Sequence, residues 1–231
     1  MGDIVKRITN ESLIKRNSRI GLGAHLGGLL ILVGGMAVTF LQPQRADLSL
    51  AALMSGFVLA NIGIYFTNRY GRTPRPDQAL DAALKGLDDQ YLIVHYYLGS
   101  GHALFSPAGV FALVPKFQGG QVSYDGKRWH HSGVSWFRKF FAQESLGNPT
   151  LEGQAEAQSL QERLKRLLQG DEPPPVQPII VFTNEQSAVD ADSAPVPVLY
   201  GQKLKEYLRH LPKGVGLNAS QLDRVVTSIK H

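Results

Sequence analysis

Charge disappears from this chain twice near its start and then returns for good. Residues 20–41 contain no Asp, Glu, Lys or Arg over 22 positions, and residues 48–66 repeat the pattern over 19. A run of about 20 apolar residues matches the thickness of a bilayer's hydrocarbon core. Inside lipid, backbone amides and carbonyls must pair within their own segment, so both runs are expected to be helices despite their many glycines. A cleaved signal peptide has a single, shorter apolar core. The pattern therefore predicts a transmembrane hairpin over residues 20–69, with spans near 20–41 and 48–66 joined through Gln42-Pro-Gln-Arg-Ala-Asp47. Gly23 and Gly27, and Ala52, Gly56 and Ala60, recur at intervals of four. Small residues at that spacing let helix backbones approach closely, within the hairpin or between chains of a homo-oligomer. His25 and Asn61 are the polar exceptions. They are expected to make interfacial or inter-helix hydrogen bonds, with a functional relay as the alternative.

The pattern changes period after residue 70. Thr73-Pro-Arg-Pro76 reads as a stiff linker over residues 70–76. Leu80, Ala83, Leu84 and Leu87 then recur on one face of a helix that Asp77 opens. Strands follow at 91–97, 103–105 and 110–114, the last two joined by Ser106-Pro-Ala-Gly109, where Gly109 is expected at positive φ. Asp125-Gly126 marks a second hairpin, between 121–124 and 127–130. All these strands are expected to share one sheet. A helix over 151–168 ends at Gly170, and the Pro-rich residues 171–178 read as an extended linker. A short strand at 179–182, an exposed acidic loop at 185–194 and a strand at 196–200 come next. Helices at 202–211 and 219–230 finish the chain, the second capped by Asn218. The expected fold is α/β, an α+β-like mixed sheet flanked by helices, preceded by the two-helix hairpin. Residues 77–231 form its cytoplasmic domain.

Charge sharpens this picture. Seven basic and three acidic residues precede position 70, against 17 and 16 after it, so the net charge of +5 resides mainly around the apolar spans. Five of the basic residues lie in the segment 1–19, which reads as a basic tail, with a short interfacial helix as the alternative. Arg69, Arg72 and Arg75 follow the second span, whereas the connecting loop holds only Arg45 beside Asp47. The positive-inside rule then places both termini in the cytoplasm of a two-span membrane protein, with membrane lipid as its first partner. There is no cysteine, which excludes disulfides and thiolate metal sites.

Two stretches carry candidate chemistry. Lys116 ends a buried strand, where an ammonium projects into a cleft or snorkels to water. Around the second hairpin, Lys127, Arg128, Arg138 and Lys139 interleave with Trp129 and other aromatics. That mixture suits nucleic acid by stacking and phosphate contact, a membrane surface, or a core of aromatics beneath solvated charges. His130-His131 has no carboxylate at ligand spacing, so no metal site is expected there.

The stretch Pro107-x-Gly109-Val110-Phe111, with Lys116 and the break Gly119-Gly120, resembles the NERD (nuclease-related) domain family. Asn148-Pro149 followed by Gln154 adds to the likeness. The resemblance implies a restriction-endonuclease-like fold in which an acidic pair and a lysine carry out metal-assisted phosphodiester hydrolysis. It places the two carboxylates at Gly101 and Val114, where this chain has none, and Pro115 interrupts the motif. Lys116 is then a residual motif lysine. Asp77 or Asp81 is the candidate for a displaced catalytic acid. The resemblance leads to a domain that has lost catalysis and works in binding or scaffolding, without a cofactor. The alternative is a membrane-tethered nuclease that uses Mg²⁺ and displaced carboxylates.

Overall fold

The computed structural model describes residues 5–133 and 145–230. They divide into two compact units: residues 11–75, and a second unit built from the chain on either side of them.

The first unit is an antiparallel helical hairpin, α1 (Glu11–Leu41) and α2 (Ala46–Phe66), joined through residues 42–45, with α2 continued by a widened turn at Thr67–Gly71. Both helices are long and apolar enough to cross a membrane, and only 17% of each apolar window is buried. Apart from Asn17, the buried positions repeat every seven residues: Ile14, Gly21, Gly28 and Gly35 on α1, and Ser49, Gly56 and Gly63 on α2. A seven-residue repeat keeps one seam facing the partner helix as the pair winds. The seam is tight enough to require glycine. A Cβ on Gly28 would lie 2.7 Å from the backbone N of Ala60, and one on Gly63 2.6 Å from that of His25. The expected four-residue spacing holds on α2, where Ala52 and Ala60 meet Gly35 and Gly28, and is corrected on α1. Gly23 has nothing within 4 Å of a built Cβ, and Gly27 meets only Leu59, at 3.4 Å. Ser49 Oγ crosses the seam to donate to Gly35 O at 3.2 Å. Asn61 instead donates to Phe57 O of its own helix at 2.8 Å.

The second unit begins with a strand, β1 (Lys6–Thr9), and continues after the hairpin with α3 (Pro76–Ala83). Next come β2 (Leu92–His95), β3 (His102–Ser106) and β4 (Gly109–Lys116), then β5 (Gly120–Tyr124) and β6 (Trp129–Ser132). The chain ends with α4 (Pro149–Leu167), β7 (Val176–Phe182), β8 (Ser187–Asp190), β9 (Val198–Tyr200), α5 (Gly201–His210) and α6 (Ala219–Lys230). The main sheet is mixed, in the order β1-β2-β3-β4-β7-β9. β1 is parallel to β2, β2-β3-β4 is an antiparallel meander, and β7 and β9 add in parallel.

Strand alternation splits the core. Ile93, Leu104, Phe111 and Leu113 face α3 and α5 through Leu80, Leu84, Leu204 and Leu208. Val94, Ala103, Val110 and Ala112 face α4 and α6 through Ala157, Leu160, Leu164 and Val225. The sheet is therefore mixed and sandwiched by helices.

Several sequence expectations change. The expected basic tail is corrected over residues 5–19, because Lys6–Thr9 are paired in the sheet and α1 already begins at Glu11. An edge strand tolerates the exposed Lys6 and Arg7, while Val5 is buried beside them. The strands do not all share one sheet: after Gly119 the chain leaves the main sheet, and β6-β5-β8 form a second one. The acidic loop at 185–194 contributes β8, which pairs in parallel with β5. Pro115 does not break β4. The pairing with β3 ends at Ala112, so the missing N–H falls where no partner needs it.

Candidate site around Lys116

Lys116 lies at the end of β4 with the parity of Val110 and Ala112, so its side chain enters the α4 face of the sheet. Asn148 caps α4, its side chain accepting from Leu151 N at 3.2 Å, and Pro149 occupies the first turn. Gly153 brings that turn down onto the sheet, where a Cβ would lie 3.1 Å from Pro178 Cβ. The close approach delivers Glu152. Its Oε2 pairs with Lys116 Nζ, which also donates to Leu146 O at 3.4 Å. The Lys116 side chain is 8% exposed and that of Glu152 is 32%. One turn further along α4, Glu156 Oε2 accepts from the backbone N–H of Gly101 at 2.7 Å. Ser159 Oγ donates to Gly99 O at 2.7 Å, which pins the same loop again.

The helix α4 thus supplies carboxylates to both ends of the motif region. These two acids were not anticipated from the sequence. Their i, i+4 spacing places them on one helix face. A divalent cation needs carboxylate oxygens to spare. Here one oxygen of Glu152 is held by the Lys116 ammonium and one of Glu156 by a backbone amide. Among the described residues, no three His, Asp or Glu side chains come together to hold a metal ion. Among the described residues, these two carboxylates have no third His, Asp or Glu beside them for the Mg²⁺ that the nuclease alternative requires.

Asp77 is buried in the first turn of α3, on the opposite face of the sheet from α4. The fold therefore separates it from the Lys116 side chain. Asp81, on the same helix, anchors a different cluster. His95 Nε2 lies 3.2 Å from Asp81 Oδ1, and His95 Nδ1 lies 2.7 Å from His102 Nδ1. Arg7 Nη1 of β1 approaches Asp81 Oδ2 at 3.4 Å. This chain of polar groups runs under the sheet from β1 to β3. His95 is fully buried and His102 nearly so. One imidazole must donate and the other accept across the 2.7 Å contact. The pairing follows from register, since His95 and His102 are direct partners across the β2–β3 ladder.

In the basic and aromatic stretch, Arg138 and Lys139 lie outside the described residues. Trp129 donates from Nε1 to Thr150 Oγ1 at 2.9 Å and packs on Val122, Leu146 and Phe182. Its ring is thus engaged with the small sheet's core. Lys127 and Arg128 are exposed, and their amides bind Asp125 Oδ1 at 2.8 and 2.7 Å. Asp125 Oδ2 also receives His130 Nε2 at 2.7 Å. The His130 hydrogen bond, followed by the two amides, holds the Asp125 carboxyl well below the usual carboxylate range. Lys127 and Arg128 therefore close a tight turn, with their side chains directed to solvent.

No protein-family model, no curated protein and no solved structure matches this chain.

Proposed function

We propose that this is a membrane-anchored protein whose NERD-related, restriction-endonuclease-like domain has lost the carboxylate pair of a nuclease and acts by binding or scaffolding at the cytoplasmic face. The observation that carries the reading is the buried Lys116–Glu152 pair. A lysine that stabilises charge at a phosphodiester must have its ammonium available to substrate. This one is neutralised by Glu152 and shielded beneath α4. The element order from α3 to β7 supports the relationship: a helix, three antiparallel strands, a hairpin that joins the second sheet, a helix, then a strand parallel to the last of the three.

The hairpin supports the anchor. Leu22, Leu26, Leu30, Met36, Leu50 and Phe57 point outward and are at least half exposed. A core helix of a soluble protein would bury them. The pairing of β1 with β2 supports a two-span topology, since the strand before the hairpin and the strand after it belong to one sheet. The basic residues at the two ends of the hairpin assign those ends to the cytoplasm.

The test uses the whole chain in uncharged detergent or nanodiscs, with single- and double-stranded DNA and RNA and either Mg²⁺ or Mn²⁺. The expected result is no cleavage above that of Lys116→Ala. Cleavage that Lys116→Ala abolishes overturns the reading. The alternative, a tethered nuclease with displaced carboxylates, has one observation in its favour: Glu152 and Glu156 reach the motif region from α4. Metal-dependent cleavage lost in both Glu152→Gln and Glu156→Gln establishes it.

A further inference from the structure

The two ends of the hairpin differ sharply in charge. At the closed end, Arg45 Nε lies 3.3 Å from Asp47 Oδ1, and the loop has no other charged group. At the open end, the flanks of the apolar spans hold Lys15, Arg16, Arg19, Arg69, Arg72 and Arg75 against one carboxylate, Glu11, which meets Arg75 at 3.6 Å. The helix packing brings these residues to one level. A Cβ on Gly71 would lie 3.6 Å from Ser18 Oγ, and one on Gly21 2.9 Å from Phe66 Cβ. The turns bearing Arg16 and Arg19 therefore lie beside the turns bearing Arg69 and Arg72. Lys15, Arg16 and Arg19 are exposed. Tyr65 and Phe66 border the collar on its apolar side, and the Arg69 guanidinium stacks 4.7 Å over the Tyr65 ring.

We infer that this collar is a binding site for the headgroups of anionic phospholipids. The inference rests on the membrane-spanning reading proposed above. Five of the six cations are arginine, whose planar fork engages two phosphate oxygens at once and gives a geometry that a bare surface potential lacks. The bordering aromatics fix the depth at which those phosphates sit, since tyrosine settles at the headgroup boundary. The acyl chains of the same lipid then lie along the outward-facing leucines of α1. Charge complementarity selects the lipid class: a net-neutral zwitterion offers phosphate with its own ammonium, whereas phosphatidylglycerol offers phosphate alone.

The experiment uses the full chain purified in uncharged detergent. Native mass spectrometry compares retention of phosphatidylglycerol and phosphatidylcholine supplied at equal concentration. Insertion is read separately, by flotation with phosphatidylcholine vesicles after an alkaline carbonate wash. The expected result is a preference for phosphatidylglycerol of about tenfold or more, since each basic residue near the surface adds about fivefold to affinity for an anionic lipid. In R16Q/R19Q/R69Q/R72Q that preference should disappear while carbonate-resistant flotation remains. If the quadruple variant does not fold, R16Q/R19Q, at two exposed positions, should lower the preference at least about threefold. Wild-type flotation without a lipid preference, or a preference untouched by either variant, overturns the collar and leaves the anchor standing. Loss of wild-type protein in the carbonate wash overturns the spanning reading, and this inference with it.

Discussion

The Lys116 ammonium and the Glu152 carboxylate, 36 positions apart in sequence, neutralise each other beneath the first turn of α4. The two partners are unequally buried, and this gives an asymmetric prediction. Glu152→Gln leaves the buried ammonium without a counter-charge and should cost about 2–4 kcal/mol of domain stability. Lys116→Met fills the same volume without charge, and the freed Glu152 can turn to water, so its cost should stay below about 1 kcal/mol. Equilibrium denaturation of both variants checks the order. Equal costs would mean the pair does not close in solution.

Gly109 has φ of +138°, a conformation that side chains disfavour, at the turn between β3 and β4. A valine there also meets the Phe111 ring, since the added Cβ would lie 3.5 Å from Cζ. Gly109→Val should destabilise the domain by about 1 kcal/mol or more. An unchanged melting curve would contradict this turn.

Because β1 precedes the hairpin, a soluble fragment must retain it. Joining Asn10 to Pro76 through a short Gly-Ser linker should give a soluble, folded domain, since Glu11 and Arg75 meet at the base of the hairpin. A fragment that starts at Pro76 lacks β1 and the buried Val5, and should be less stable by at least about 1.5 kcal/mol. Urea melts of the two fragments decide. Equal midpoints would show that β1 adds nothing to the sheet.

Within the hairpin, two glycines of α1 should respond oppositely. Gly28→Leu forces a side chain against the Ala60 backbone and should cost about 1–3 kcal/mol or separate the helices. Gly23→Leu projects into open space and should leave the melting temperature in detergent unchanged. Similar shifts for both would reject the seven-residue seam.

The Asp125 turn gives a pH signature. Its carboxyl is held below the ordinary range in the folded chain, so the turn's contribution to stability is complete above the unfolded pKa of about 3.9. It is lost only as pH falls through the lower folded value. The Lys127 and Arg128 amides should therefore keep their hydrogen-bonded chemical shifts at pH 4 and lose them in stronger acid. In Asp125→Ala those shifts should be absent at every pH.

The hairpin and the last helix were legible from the sequence for local reasons. Freedom from charge over two full spans marks two long apolar helices without reference to the rest of the chain. The 219–230 helix shows its own start, since Asn218 and Gln221 cap each other through side chain and backbone at 2.9 and 3.0 Å. β1 was not legible, because its four residues include two cations and its partner strand begins 86 positions after Lys6. β8 was hidden for a similar reason, its hydrogen bonds going to β5 rather than to a neighbour in sequence. At the site, Lys116 could be read from the sequence as the cation that ends a buried strand. Glu152 and Glu156 could not, because the face of α4 that meets the sheet is decided by the close approach at Gly153. The distance between Asp77 and Lys116 in function likewise depends on which layer each helix joins, and no local pattern reports that.

The position of β1 ahead of two helices long and apolar enough to cross a membrane has a consequence for biosynthesis. The strand leaves the ribosome before the hairpin and stays unpaired until residues 92–95 have been made, after the whole hairpin has emerged. Insertion of both helices, or of neither, returns the later chain to the side where β1 waits. Insertion of a single helix strands β1 and β2 across the bilayer from each other, and the sheet cannot close. On the spanning reading proposed above, the β1–β2 ladder works as a parity check on translocation: a chain with an odd number of crossings keeps an open edge at β2, a ready mark for quality-control proteases.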